Sequence, residues 1–254
     1  MKKIYNLIFF LYSNFCFLLE ISFLKKKNYN KNSQVEINGF HKFQINYKNL
    51  FFESDFTIVD VNKYYKRHII SEEKIFKFIK NLFLDNDLAN KISNDTGYNF
   101  SINFITAYET FPINFEDQQE GWYANHPHID KPFSKNTYKL IIPMEKISEQ
   151  KGSMKILNKK DSLNYESKIL DKFQNANLDI NEVLIFNPNQ CYHYAGIPKN
   201  GNSRKQIMIQ LNPSKTWKVN KDIHKLQNKV EPKFPHFSYL FLNKTNLDSL
   251  NISL

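Results

Sequence analysis

From Asn99 onward the chain is cut into runs too brief for helices and too regular for loops. "NFSINFITAYE" alternates apolar and polar residues, "YKLIIPM" is a short apolar run, "GSMKIL" follows a turn, and "EVLIF" and "RKQIMIQL" are further β-rich runs. Short strands separated by turn-rich connections must bury their apolar faces on one another, so they predict an all-β barrel or sandwich. In the last run Arg204, Gln206, Met208 and Gln210 share one face, and Ile207, Ile209 and Leu211 share the other, because side chains alternate along a strand.

Helices are expected only at the flanks. Ser71 precedes "EEKIFKFIKNLFL", in which Ile75, Phe78, Ile79, Leu82 and Phe83 recur at helical spacing and two early glutamates complement the N-terminal dipole. "VEINGFHKFQI" reads as short and extended with a turn at Asn38-Gly39. "NYNKNS" before it reads as a polar linker, and "FPHFSYLFL" in the tail as a segment packed on the barrel. There is no repeat of solenoid length, no Gly-rich phosphate loop and no G-x-S-x-G.

Residues 4–24 form a mostly apolar stretch flanked by Lys2, Lys3 and Lys25 to Lys27. Its length could span a bilayer, but Asn6, Asn14 and Glu20 interrupt it. On a helix Asn6, Ser13 and Glu20 fall on one narrow polar stripe, which suits a helix lying in a membrane interface or docked against the domain. No small-residue cleavage site follows, so a cleaved signal peptide is not expected. The organisation is then an apolar helix over 1–27 and a single domain over 35–254 with its motif core at 122–213. A chain of 254 residues with 41% apolar content has material for one such domain.

The net charge of +10 comes almost wholly from lysine: there are 33 lysines and only two arginines, Arg67 and Arg204. No compact basic block interleaved with aromatics is present, so no nucleic-acid partner is expected. Since lysine serves wherever it suffices, an arginine marks a place that needs a planar, two-pronged donor. The two cysteines, Cys16 and Cys191, make neither a disulfide framework nor a zinc motif. A reducing, cytoplasmic location is expected, at the membrane surface if the N-terminal helix binds there.

The candidate chemistry centres on "HPHID". On a strand His128 and Asp130 point the same way and can reach one metal ion. His193, just after "EVLIF", is the candidate third ligand. Two histidines and one carboxylate on one face of an ion form the facial triad of non-heme Fe(II) oxygenases, which leaves positions for a co-substrate and O2. Arg204 opens the next strand, and an inward arginine beside a metal calls for an anion such as a dicarboxylate, held by paired charge-assisted hydrogen bonds.

Other readings of the same residues stand beside this one. "HPHID" can be a polar loop, His193 a satisfied core histidine, and Arg204 the partner of a surface carboxylate. His126 shares the face of His128 and makes a cupin-type H-x-H pair, or it stands beside the site facing the substrate. Cys191 either faces the site or is a small buried hydrophobe. Trp122 and Tyr123 wall the pocket or belong to the core. Asn103, Tyr108 and Lys139 are further pocket candidates, and Gln206 is placed to hydrogen-bond the carboxylate that Arg204 holds. Arg67 has no assignable role, and His41, His68, His224 and His236 read as structural or exposed.

The order H-x-D (His128, Asp130), then His193 after a strand, then Arg204 on the next, resembles the Fe(II)/2-oxoglutarate-dependent dioxygenases, and among them most closely the phytanoyl-CoA dioxygenase family. "GSMKIL" is similar to that family's G-x-L-x-x-x-P strand, "NEVLIFNPNQCYHYAG" to its G-D-x-x-x-F-x-x-x-x-x-H-x-S, and "EINGF" to its opening. Asn181-Glu182 stands where Gly-Asp is usual, and Asn158 where a P-G-S-H turn is common.

The resemblance implies a double-stranded β-helix, a jelly-roll or cupin-like barrel, with flanking α-helices. It implies Fe(II) on His128, Asp130 and His193, and 2-oxoglutarate chelated to the iron with its far carboxylate on Arg204. The implied reaction is O2-dependent hydroxylation of a small-molecule or lipid- or carrier-linked substrate, with release of succinate and CO2. A small residue at position 130 would instead suggest a halogenase. The alternative function is a non-catalytic or cupin-like metal-binding barrel without 2-oxoglutarate.

Overall fold

The computed structural model describes residues 11–46 (apart from 13, 17, 21 and 27), 56–119 (apart from 62), 123–130, 135–165, 170–227 and 243–250. The elements that position the site are a helix α1 (Gln34–Asn38), strands β1 (Phe40–Gln44), β2 (Phe56–Val61) and β3 (Tyr65–Ile70), helices α2 (Glu72–Lys80) and α3 (Leu88–Thr96), and the long strand β4 (Asn99–Thr110). After these come β5 (Tyr138–Pro143), β6 (Met154–Ile156), β7 (Gln174–Ala176), β8 (Glu182–Phe186), β9 (His193–Tyr194), β10 (Arg204–Ser214), β11 (Lys218–Asn220) and β12 (Lys244–Asn246).

The chain is mainly β, as expected. A nine-stranded mixed sheet runs β1-β8-β5-β10-β4-β11-β12, with β3 also on β4 and β2 on β3, and a three-stranded sheet runs β7-β6-β9. The β11–β4 pair is parallel and the other pairs of the large sheet are antiparallel.

Alternation divides the large sheet into two faces. Leu140, Ile142, Val183, Ile185, Ile207, Ile209 and Leu211 turn to one side and pack with Ile75, Phe78, Ile79 and Ile92 of α2 and α3 in the main core. Ile141, Leu184 and Phe186 turn to the other side, where they meet Ile156 and Ala176 of the small sheet and Cys191. One wall therefore carries the helices on its back and the site on its front. Burying a single Ile or Leu contributes about 1.5–3 kcal/mol, so this division is enforced strongly. Ile209 lies in the middle of the wall with no exposed surface. Ile209→Ala is expected to cost about 2–5 kcal/mol by equilibrium urea unfolding; a loss below about 1 kcal/mol would mean that the wall is not close-packed there.

Several expectations are corrected. The segment expected to be extended from Val35 starts as the one-turn helix α1. The Ser33 hydroxyl accepts the Glu36 amide at 3.1 Å, and Gly39 ends the turn at φ +83°. The capping hydroxyl outweighs the short β-like pattern. "NYNKNS" is not a free linker either: the Asn30 amide donates to the Asn94 carbonyl and the Ser33 hydroxyl to that of Asp95, both at 2.7 Å, tying it to α3. Ser71 sits at the N-cap of α2 without a side-chain capping bond, and the apolar pattern continues past Lys80 as a π-helical stretch, Asn81–Asp85.

At the N-terminus the described positions between 11 and 23 are helical, but residues 1–10 lie outside the described residues, so the apolar helix is not seen whole. Among the described residues no helix is long and apolar enough to cross a membrane. Of the polar stripe only Glu20 lies among the described residues, and it turns towards the protein, as a docked helix requires. Glu20 is buried and accepts a hydrogen bond at 2.9 Å from Asn136 Nδ2, itself buried. A buried donor satisfies the carboxylate, and that decides which side docks. Leu11, Phe15, Leu18 and Phe23 are exposed. "FPHFSYLFL" falls outside the described residues.

Candidate metal centre

His128 and His193 are brought together by backbone. Their main chains form an antiparallel bridge, each amide donating to the other's carbonyl, at 3.1 and 3.0 Å. The Asp130 amide is held by the Pro188 carbonyl at 2.9 Å, on the loop between β8 and β9. One loop of "HPHID" is thus pinned against the segment carrying His193. The ligand atoms of His128, Asp130 and His193 lie within 4.8 Å of one another, with each Nε2 3.6–3.7 Å from Asp130 Oδ1.

Both rings are oriented by carbonyls. His128 Nδ1 lies 2.7 Å from the His126 carbonyl and His193 Nδ1 lies 3.0 Å from the Cys191 carbonyl. A carbonyl only accepts, so in the neutral ring Nδ1 carries the proton and Nε2 is left with its lone pair towards Asp130, the tautomer a metal requires. Burial pushes the His193 pKa down to about 4, against the partly opposing charge of Asp130, so this imidazole is neutral at pH 7. Burial alone would raise the Asp130 pKa, but Lys139 and the two imidazoles outweigh it and hold the carboxyl below its ordinary value. Lys139 binds Asp130 Oδ2 at 2.5 Å, which leaves Oδ1 for the side facing the histidines.

This set lines a cavity of about 310 Å³ together with Lys139, Phe186, Gln206, Met208 and Arg204. Arg204 is 2% exposed. Its Nη1 donates to the carbonyls of Gly152 and Gly196, and its Nε has no partner among the described residues. A Cβ on Gly196 would stand 2.3 Å from the Ser153 carbonyl oxygen, so only glycine lets the two segments close on the arginine. A buried guanidinium without a carboxylate needs an anion from outside the chain. Gln206 Nε2 donates to the Tyr108 hydroxyl at 2.5 Å, and Tyr108 lines the cavity beside it.

The remaining candidates distribute as follows. His126 is exposed; its carbonyl, not its ring, touches the site. Asn103 is not at the cavity but buried, accepting from Ser101 at 2.8 Å. It is the extra residue of a bulge, since Gln210 pairs with Phe104 and Leu211 with Ile102, and a bulge shifts which residues face inward. Trp122 and the side chain of Tyr123 fall outside the described residues. Cys191 is fully buried in the small core, and burial raises its thiol pKa to about 12. His41, His68 and His224 do not line the cavity, and His236 is outside the described residues. Sequence reasoning gave Arg67 no role, and it lines a second cavity.

No family model matches the sequence, and no curated protein matches it. Solved structures align with part of it at TM-scores below 0.5. One is the non-heme α-ketoglutarate-dependent epimerase SnoN from nogalamycin biosynthesis, 9% identical over 71% of this chain and 80% of that one, TM-score 0.47. HygX from Streptomyces hygroscopicus, solved with nickel, 2-oxoglutarate and hygromycin B bound, is 11% identical over 72% and 86%, TM-score 0.45. AviO1 from Streptomyces viridochromogenes Tue57 is 13% identical over 70% and 91%, TM-score 0.46.

What the site can hold follows from its own residues. Two imidazoles and one carboxylate oxygen on one side of a cavity suit Fe(II) with open positions, and a buried arginine on the wall suits the far carboxylate of 2-oxoglutarate.

Proposed function

We propose that the protein is an Fe(II)/2-oxoglutarate-dependent oxygenase with a double-stranded β-helix core, of the phytanoyl-CoA dioxygenase type, that hydroxylates a small molecule. The observation that carries this reading is one cavity holding both the His128–Asp130–His193 set and Arg204, whose Nε has no partner among the described residues. His128 Nε2, Asp130 Oδ1 and His193 Nε2 hold the iron. Lys139 keeps the second Asp130 oxygen off it, so fewer coordination positions are taken by protein. Arg204 binds the far carboxylate of 2-oxoglutarate, and Gln206 turns from Tyr108 to share it. Phe186, edge-on to His193 with ring centroids 5.0 Å apart, keeps water from that side. When bound, iron, 2-oxoglutarate and O2 supply the oxidant for hydroxylation, with succinate and CO2 as the other products.

The test is anaerobic. Adding Fe(II) and then 2-oxoglutarate to the purified protein is expected to produce the weak visible charge-transfer band of the chelated iron complex, and O2 should then release succinate. Iron bound without a band after 2-oxoglutarate would overturn the reading in favour of a cupin-like metal protein; no iron bound would leave "HPHID" a polar loop.

The lipid- or carrier-linked substrate and peripheral membrane contact are part of the same proposal. The outward Leu11, Phe15, Leu18 and Phe23, followed by the exposed Lys26, support it, since apolar side chains beside cations suit an anionic bilayer surface. The full chain is expected to float with phosphatidylglycerol vesicles, and the double variant Phe15→Asp, Leu18→Asp to remain behind. If the unsubstituted chain stays behind as well, the membrane contact falls.

A further inference from the structure

Four alternate residues of β4, Phe104, Thr106, Tyr108 and Thr110, line a second cavity of about 300 Å³, while Ile105 and Ala107 between them turn into the main core. The alternation of "FITAYET" thus builds one wall of a chamber in front of the large sheet. The chamber shares Tyr108, Ala124, Ala195, Arg204 and Met208 with the metal cavity, so the two adjoin. Its volume equals about ten water molecules at ~30 Å³ each, enough for a small ring compound.

Rings make up much of the rest of the lining: Tyr64, Tyr65 and Phe111 join Phe104 and Tyr108. The Tyr64 hydroxyl is taken by Asp117, so that side chain offers a ligand its ring. Arg67 packs into the same wall, its guanidinium 5.1 Å from the centre of the Tyr65 ring. Flat apolar faces of this kind favour a flat ligand, packed offset or edge-on.

Two polar atoms at the chamber are not met by the chain. Thr110 Oγ1 and Asn125 Nδ2 belong to lining residues, are buried, and have no partner among the described residues. Thr110 is the last residue of β4, in register with Arg204. Asn125 ends the turn Tyr123–Asn125 that leads into "HPHID", and the Ala124 carbonyl of that turn accepts the Ala195 amide at 2.6 Å, which sets it beside the segment of His193. One atom therefore comes from the sheet and the other from the approach to the metal ligands. Buried polar atoms are normally paired, so two that are not call for a ligand. An amide nitrogen can only donate and a hydroxyl can donate, so the ligand supplies the acceptor. Both groups are uncharged, which matches a carbonyl oxygen rather than a carboxylate.

We infer that this chamber takes the primary substrate, an uncharged ring compound whose flat body lies among the aromatic side chains and whose carbonyl oxygen is read by Thr110 and Asn125. Its occupant being the molecule that is oxidised rests on the oxygenase reading above.

Equilibrium dialysis on the full chain, loaded anaerobically with Fe(II) and 2-oxoglutarate, tests this with three matched pairs: 1-indanone and indane, 1-tetralone and tetralin, 9-fluorenone and fluorene. A site built to hydrogen-bond a group rejects the analogue that lacks it, so at least one ketone is expected to bind tenfold or more tighter than its hydrocarbon. The double variant Thr110→Val, Asn125→Leu should abolish that preference and keep the charge-transfer band and 2-oxoglutarate affinity. An unmet hydroxyl costs the free protein stability, so Thr110→Val alone is expected to raise the melting temperature of the apoprotein by about 2–4 °C. Equal affinity for ketone and hydrocarbon, a preference that survives the double variant, 2-naphthoate binding tighter than every ketone, a melting temperature lowered by Thr110→Val, or a protein that shows the band but binds no ketone would each overturn the inference. The ketone–hydrocarbon comparison is made in the unsubstituted protein, so it decides the matter even if the double variant does not fold. Ketone-selective binding that depends on Thr110 and Asn125 without the band would support the carbonyl site and overturn the oxygenase reading alone.

Discussion

Arg204→Ala is expected to weaken 2-oxoglutarate binding by roughly 30-fold to more than a thousandfold and to leave iron binding unchanged. Removing one member of a desolvated, hydrogen-bonded charge pair costs about 2–5 kcal/mol, and each ~1.4 kcal/mol is a factor of ten. The guanidinium is 2% exposed, so little water stands ready to replace it. Arg204→Lys separates charge from geometry. An ammonium carries the charge but lacks the fork that can grip the Gly152 and Gly196 carbonyls and a carboxylate together, so it should recover only a fraction of the affinity. Anaerobic titration of the charge-transfer band measures both variants, with a thermal melt confirming the fold. A 2-oxoglutarate affinity within threefold of the unsubstituted protein would remove Arg204 from the site.

Loss of the carboxylate ligand should be as severe for iron. Asp130→Ala is expected to lower Fe(II) affinity by at least on the order of a hundredfold, more than the 10–100-fold typical of partners one shell further out. Two effects combine. One ligand is gone, and Lys139, only 16% exposed at its side chain, loses its Asp130 partner beside two imidazoles. Loss of that ion pair should also destabilise the apoprotein by about 1–3 kcal/mol, below the value for a fully buried pair. Asp130→Ala, Lys139→Met should restore that stability and still fail to hold iron, a result that separates folding from ligation. His193→Ala should lose iron to a similar degree without the Lys139 effect. Metal analysis after anaerobic loading and desalting gives the answer, and retention of stoichiometric iron by Asp130→Ala would exclude this carboxylate as a ligand.

The legible parts of the site were those written into short stretches of chain. H-x-D spacing places His128 and Asp130 side by side. The apolar run of β8 leads the chain to His193 on the small sheet in front of it, and alternation along β10 turns Arg204 and Gln206 to the front while Ile207 and Ile209 enter the core. Asn103 misled because its bulge is invisible in the residues of β4 alone; it exists only where β10 pairs with that strand. Arg67 carried a signal, its rarity among lysines, but no neighbour in sequence showed what it would face. The polar stripe holding Glu20 suited either a membrane interface or docking against the domain, because nothing in the stripe itself reveals that Asn136 bonds Glu20 in the fold.

Side-chain direction along a strand, helix periodicity and the order of ligating residues are local properties, set by backbone geometry within a few residues, and the amino-acid sequence alone determined them here. Which groups stand opposite one another is set by register between distant strands. Only the folded chain put Lys139 on the second oxygen of Asp130, closed Gly152 and Gly196 around Arg204, and set Arg67 one row from Arg204 across Tyr108. Those contacts are made by burial and pairing summed over the whole sheet, and no single segment contains the information to specify them.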